Sequence, residues 1–202
     1  MVANRSEQPP DRGIVVVVAS DGGLRAVSVV LEGLSVSFPS PLVVVQHRAL
    51  DPDAVLVGAL GRRSMLPVQM AEDGVVLAPG VVYVARPDLH PTATHTGRFA
   101  YTDGHRKRFV VSSANPLLIS AAAVYGPQAI AVVLSGDGRD GTDGAHAVRA
   151  GGGTVIAQDE KTSECFEMPG SVIQSGAADL VLPIDRIAAT LGRLTAGRRR
   201  KD

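Results

Sequence analysis

The amino-acid sequence predicts a doubly wound α/β domain: a three-layer α/β/α arrangement in which a mostly parallel sheet carries helices on both faces, with an added β-hairpin. Three observations predict it. Short apolar runs recur at Ile14–Ala19, Leu42–Gln46, Ala129–Leu134, Thr154–Ala157 and Leu180–Leu182. Runs this short and this continuously apolar suit strands buried on both faces. Helix-like stretches lie between them, at Leu24–Leu34, Asp53–Arg62, Pro116–Tyr125, Gly141–Ala150 and Ile184–Leu194. Alternation of strand and helix is the pattern of a parallel sheet. Finally, strand runs stop at small polar residues and glycines, as in Ala19-Ser20-Asp21-Gly22-Gly23 and Leu134-Ser135-Gly136, which marks tight turns into the following helix.

Residues 1–12 are polar, contain Pro9-Pro10 and are expected to be a disordered leader. Residues 13–195 form one domain without repeat or linker, and residues 196–202 are a basic tail holding Arg198–Lys201. Val75-Val76-Leu77 and Val81-Val82-Tyr83-Val84 flank Ala78-Pro79-Gly80. Pro-Gly fits the middle of a type II turn, so this segment is expected to be the added hairpin. A second hairpin is expected around Asp103-Gly104, between Arg98–Tyr101 and Arg108–Val111.

Composition narrows the function classes. Of 202 residues, 45% are hydrophobic, enough for a sizeable core. Twenty Lys and Arg are balanced by twenty Asp and Glu, so no nucleic-acid surface is indicated. Aromatics are only 3% with no tryptophan, which argues against a platform for stacking bases. The single cysteine, Cys165, excludes an intramolecular disulfide and fits a reducing compartment. No apolar stretch approaches bilayer length and no secretory h-region is present. The expectation is a cytoplasmic protein with no membrane insertion.

The strand ends direct the search for chemistry. Ser20 follows the first apolar run, His47 follows Val43-Val44-Val45-Gln46, and Asp140 lies in Ser135-Gly136-Asp137-Gly138-Arg139-Asp140-Gly141. In open α/β sheets ligands bind at the carboxyl edge. Parallel, adjacent strands would bring Ser20, His47 and Asp140 to that edge as nucleophile, base and orienting carboxylate. A serine hydroxyl needs a base near neutral pH, and imidazole suits that role. A carboxylate on the second ring nitrogen fixes the tautomer. Serine after a strand also serves as a turn or cap residue, so the three together carry the reading. Asp137, Asp140 and Asp143 are spaced by three rather than in the alternation of a calcium loop, so no metal is expected. No phosphate-cradling glycine motif occurs, and no cofactor is expected.

The same segments resemble, in order and over about residues 13–190, the CheB-type protein-glutamate methylesterase family. Ala19-Ser20-Asp21-Gly22-Gly23 resembles its Ala-Ser-Thr-Gly-Gly nucleophile turn, and Val45-Gln46-His47 its histidine segment. Further matches are Ala71–Gly74, Leu77–Ala85 with His90, Leu134–Gly141, Ala150–Glu160 and Cys165–Pro169. The resemblance implies hydrolysis of glutamate γ-methyl esters on chemoreceptor cytoplasmic helices with release of methanol, and deamidation of receptor glutamines. It carries the nucleophile onto Ser20, the base onto His47 and the acid onto Asp140. Backbone N–H groups near Asp21, Gly22, Asp137 and Gly138 would stabilise the oxyanion.

The chain departs from the family at Asp21, where threonine is usual, and at Asp137, where methionine is usual. Carboxylates there would oppose developing negative charge. Ser112–Leu118 also departs from the pattern Arg-Pro-Ser-x-Asp-x-Leu-Phe, which affects the expected substrate fit. Residues 1–12 are too short for the receiver domain of typical members, so either a constitutively open site or control by a separate receiver-domain protein is expected. Two rival readings stand beside the methylesterase: a catalytically weak member acting as a binding or regulatory module, and an esterase acting outside chemotaxis.

Overall fold

The computed structural model describes residues 13–47, 53–102 and 113–196. Seven strands form one sheet: β1 (Ile14–Ala19), β2 (Leu42–Gln46), β3 (Val68–Met70), β4 (Val82–Val84), β7 (Ala129–Val133), β8 (Thr154–Gln158) and β9 (Leu180–Leu182), in the order β3-β4-β2-β1-β7-β8-β9. Every pairing within it is parallel. The chain first builds outward from β1 through β2 and then returns to the other side of β1 through β7. The switch in direction therefore falls at β1, where a crevice opens between diverging connections.

Helices α1 (Gly23–Glu32), α2 (Asp53–Gly61) and α6 (Ile184–Ala196) cover one face, and α3 (Asn115–Tyr125), α4 (Thr142–Ala150) and α5 (Glu167–Gln174) cover the other. The period of two along a strand divides the core. Val15, Val17 and Ala19 of β1 pack with Val27, Leu31, Leu60 and Leu191. Ile14, Val16 and Val18 pack with Leu117, Leu118, Val148 and Met168. This explains the unbroken valine run: both faces of β1 are buried.

The expected hairpin at 75–85 is not formed. Val82–Val84 enters the parallel sheet between β2 and β3, and Val75–Leu77 forms no strand. The Pro79-Gly80 turn is present, with Gly80 at φ 72° and its N–H donating to the Ser40 carbonyl at 3.2 Å. It feeds the chain into the sheet, because Val82 and Val84 are buried there on one face and Tyr83 on the other, and a lone hairpin would expose one of those faces. The added hairpin is instead β5 (His90–Ala93) with β6 (Phe99–Thr102), antiparallel, with His90 opposite Thr102. Its reversal passes through Gly97 at φ 74°. Of the second expected hairpin, Arg98–Tyr101 falls largely within β6, while Asp103-Gly104 and Arg108–Val111 lie outside the described residues. The leader and the tail from residue 197 also lie outside them. The segments β3 and α5 were not expected.

The hairpin is fastened to α3. Ala93 N–H donates to Ser120 Oγ at 2.8 Å, and Tyr125 Oη donates to the Gly97 carbonyl at 3.1 Å. Burial pushes the Tyr125 phenol up to about 12, so it keeps its proton and this bond at ordinary pH.

Helices α3 and α4 cross closely at Gly144. A Cβ placed there would lie 2.7 Å from Leu118 Cδ1, and Leu118 is fully buried. Gly144→Ala is therefore expected to destabilise the domain by about 1–3 kcal/mol, the usual cost of overpacking, read as a lowered midpoint in urea unfolding.

Candidate active site

Parallel register sets Ala19 beside Gln46. The next residues, Ser20 and His47, therefore leave the sheet side by side at its carboxyl edge. The His47 N–H donates to the Ala19 carbonyl at 2.9 Å. Gln46 straps the two strand ends together, its Nε2 donating to the carbonyls of Ser20 at 2.7 Å and His47 at 3.2 Å. On the other side of β1, the Ser20 N–H donates to the Ser135 carbonyl at 3.0 Å.

Ser135, 1% exposed, gathers three turns. Its Oγ donates to the Asp21 carbonyl at 2.7 Å and accepts from Cys165 N–H at 2.9 Å. Its N–H donates to Gln158 Oε1 at 2.8 Å. Gly136 follows, and a Cβ there would stand 2.9 Å from Ser20 N and Cβ. Only glycine allows this approach to the serine.

Asp140 sits at the start of α4, and its Oδ2 lies 2.9 Å from His47 Nε2. The ring N–H is not aimed squarely at the oxygen, so the contact is one of charge and proximity. Looser alignment of this kind is common in unliganded sites. The amino end of α3 supplies the carboxylate with three better-aligned donors. Ser113 Oγ donates to Oδ1 at 2.6 Å, Ala114 N–H to Oδ2 at 2.6 Å and Asn115 Nδ2 to Oδ1 at 2.9 Å. Burial by itself would push the Asp140 carboxyl up. The His47 ring, the Ala114 N–H and the Ser113 hydroxyl outweigh it and hold the group below the ordinary carboxylate range. Asp140 is thus an anion facing His47 at neutral pH.

Beside Ser20 and His47 opens a shallow depression, also lined by Asp21, Gly22, Leu24 and Gln46. It lies at the amino end of α1. Among the described residues, the backbone N–H groups of Asp21, Gly22, Asp137 and Gly138 have no acceptor. That of Gly136 is committed to the Cys165 carbonyl at 3.0 Å. Asp21 is exposed and lines the depression; Asp137 is exposed and, like Gly138, does not. Among the described residues, no group of three His, Cys, Asp or Glu is placed to hold a metal ion, and no helix is long and apolar enough to cross a membrane.

A model of the CheB methylesterase family matches residues 15–191. The chain belongs to the CheB methylesterase family. It is 36% identical to a protein-glutamate methylesterase/protein-glutamine glutaminase of Rhizobium meliloti over 95% of this chain and 55% of that one. It is 38% identical to the protein-glutamate methylesterase FrzG of Myxococcus xanthus, over 94% and 57%. The chain thus spans little more than half the length of the curated relatives it matches. The crystal structure of the Thermotoga maritima CheB methylesterase catalytic domain superposes with a TM-score of 0.84 at 40% identity, covering 91% of this chain and 98% of that one. The doubly wound fold read from the sequence is therefore that of a CheB catalytic domain.

Sequence reasoning missed the residues that hold Asp140. Ser113 and Asn115 fall in the segment noted only for its departure from the family pattern. The Asn115 amide both donates to Asp140 through Nδ2 and accepts from Gly144 N–H through Oδ1 at 2.8 Å. A Ser-x-Asn-Pro cluster signals a helix start; nothing in the sequence says that the start points at a carboxylate 25 residues on.

Because the folded Asp140 titrates below its unfolded value, its contribution to stability is fully present above about pH 4. It is lost as pH falls through the lower folded value. The stability difference between wild type and Asp140→Asn in urea unfolding is expected to be largest near neutral pH and to shrink below about pH 4. A difference that stayed constant to pH 2 would contradict this account.

Proposed function

We propose that this chain is a serine hydrolase that demethylates glutamate γ-methyl esters on the cytoplasmic helices of chemoreceptors. The observation that carries the reading is the register that sets Ser20 beside His47, with His47 in turn 2.9 Å from the ionised Asp140. Names of relatives at 36–42% identity support the substrate class.

Ser20 Oγ attacks the ester carbonyl as His47 takes its proton, and Asp140 stabilises the imidazolium. Free N–H groups at Asp21 and Gly22, on the same turn as the nucleophile, meet the oxyanion, aided by the positive end of α1. The proton passes from His47 to the departing methoxide, methanol leaves, and a glutamyl–Ser20 ester remains. Water activated by His47 releases the glutamate. A glutamine side chain follows the same path with ammonia as leaving group. These steps call on no cofactor or metal. The setting is cytoplasmic.

Asp21 favours a second reading, a catalytically weak member or an esterase acting outside chemotaxis. Its carboxylate shares the depression with Ser20 and opposes the charge that develops during attack.

Methanol release from methylated chemoreceptor fragments tests the main reading. Ser20→Ala is expected to lower the rate by about a thousandfold or more, and Ser20→Ala with His47→Ala by little further, since triad members act as a unit. No release from the folded wild type would sink it. Asp21→Thr is expected to raise the rate by up to about tenfold, equivalent to ~1.4 kcal/mol, while Asp137→Met alone changes it little. An unchanged rate in Asp21→Thr would remove the case for a weakened site.

A further inference from the structure

His90 has no part in the chemistry above, yet it holds the residue that holds Asp140. Its Nδ1 accepts the Ser113 N–H at 3.0 Å. With Nδ1 accepting, the ring is the neutral tautomer protonated on Nε2. Ser113 then turns its hydroxyl onto Asp140 Oδ1 at 2.6 Å. The same Oγ accepts the Asn115 N–H at 3.2 Å. Three successive N–H groups at the amino end of α3 are thereby assigned: Ser113 to His90, Ala114 to Asp140, Asn115 to Ser113 Oγ. Helix starts leave such donors without partners in the helix, and no side chain caps α3 at its N-cap residue, Ala114.

His90 is itself fixed. It opens β5, its carbonyl accepts from Thr102 Oγ1 at 3.3 Å, and the hairpin is bonded to α3 at Ser120 and Tyr125. The hairpin and the amino end of α3 therefore keep one relative position, and His90 registers that position at Ser113. Without the Nδ1 acceptor, a half-buried N–H loses its partner. Ser113 is then free to rotate, and Asp140 loses its shortest side-chain donor.

We propose that His90 is a positioning residue for the site, orienting the Asp140 carboxylate through Ser113. The proposal rests on the reading of Asp140 as the partner of His47 in ester hydrolysis, and its test separates the two.

The decisive comparison is His90→Asn against His90→Leu. Asparagine Oδ1 falls close to the place of imidazole Nδ1 and accepts the same bond; leucine fills similar space and accepts nothing. His90→Leu is expected to lower kcat for methanol release by about tenfold with KM within about twofold, as ~1.4 kcal/mol of transition-state stabilisation is lost. His90→Asn is expected to stay within about threefold of wild type. In parallel, carbon NMR of the Asp140 carboxyl is expected to show its titration moved upward in His90→Leu and unmoved in His90→Asn. If His90→Leu fails to fold by circular dichroism, His90→Gln, whose acceptor sits one methylene too far, replaces it in both measurements. Equal loss in the asparagine variant, or unchanged kcat and titration in the leucine variant, overturns the proposal. A wild type without esterase activity defeats the methylesterase reading, and the carboxyl titration still decides the role of His90.

Discussion

A half-buried carboxylate must be kept charged, and much of this fold serves that end. Removing an anion from water is costly unless hydrogen bonds and opposite charge replace the solvent. At Asp140 the replacement comes from the start of α3, whose first-turn N–H and neighbouring side chains converge on two oxygens, and from the His47 ring. The oxygens sit near the positive end of α3. The helix needs an acceptor at its uncapped start, and the carboxylate needs donors; each answers the other.

Around the nucleophile a different device operates. A parallel ladder runs out at the carboxyl edge of the sheet, leaving backbone groups without a neighbouring strand. Side-chain amides from the last residues of two strands take over. Gln46, ending β2, donates to the Ser20 carbonyl, and Gln158, ending β8, accepts the Ser135 N–H while donating to Thr162. Both glutamines are buried. The turn bearing Ser20 is thus braced from both flanks, with Ser135 joining it to the loop that carries Cys165. Rigid bracing of this kind keeps a nucleophile in attacking geometry before substrate arrives.

The legible parts of the sequence are those where burial on both faces demands continuous apolar residues. β1, β2, β7 and β8 read plainly for that reason, and glycine-rich exits from β1 and β7 point to the edge where Ser20 and Asp140 emerge. Val68-Gln69-Met70 is too short and mixed to announce β3. Pro169 and Gly170 hide α5, although proline in a first helical turn costs little. Val82–Val84 is as apolar as its neighbours, but Pro79-Gly80 suggests a local partner, and only tertiary packing shows that β2 and β3 bury it better. The Asp140 clamp was illegible because its key contributors are a backbone N–H and two small polar residues. Such residues are common at any helix start, and their target is set by a crossing of α3 and α4 that no local pattern encodes.

The outermost strands bear on how the protein behaves in a crowded solution. β3 and β9 have three residues each, so the rim of the sheet offers only a very short row of unpaired amides to another chain. An open parallel sheet is a template for adding foreign strands, and long flat rims are where aggregation begins. Brevity at both rims denies a newcomer the run of hydrogen bonds that would hold it. The valine-rich central strand, an aggregation-prone stretch in composition, is kept three strands in from either rim and reaches solvent only if the domain comes apart.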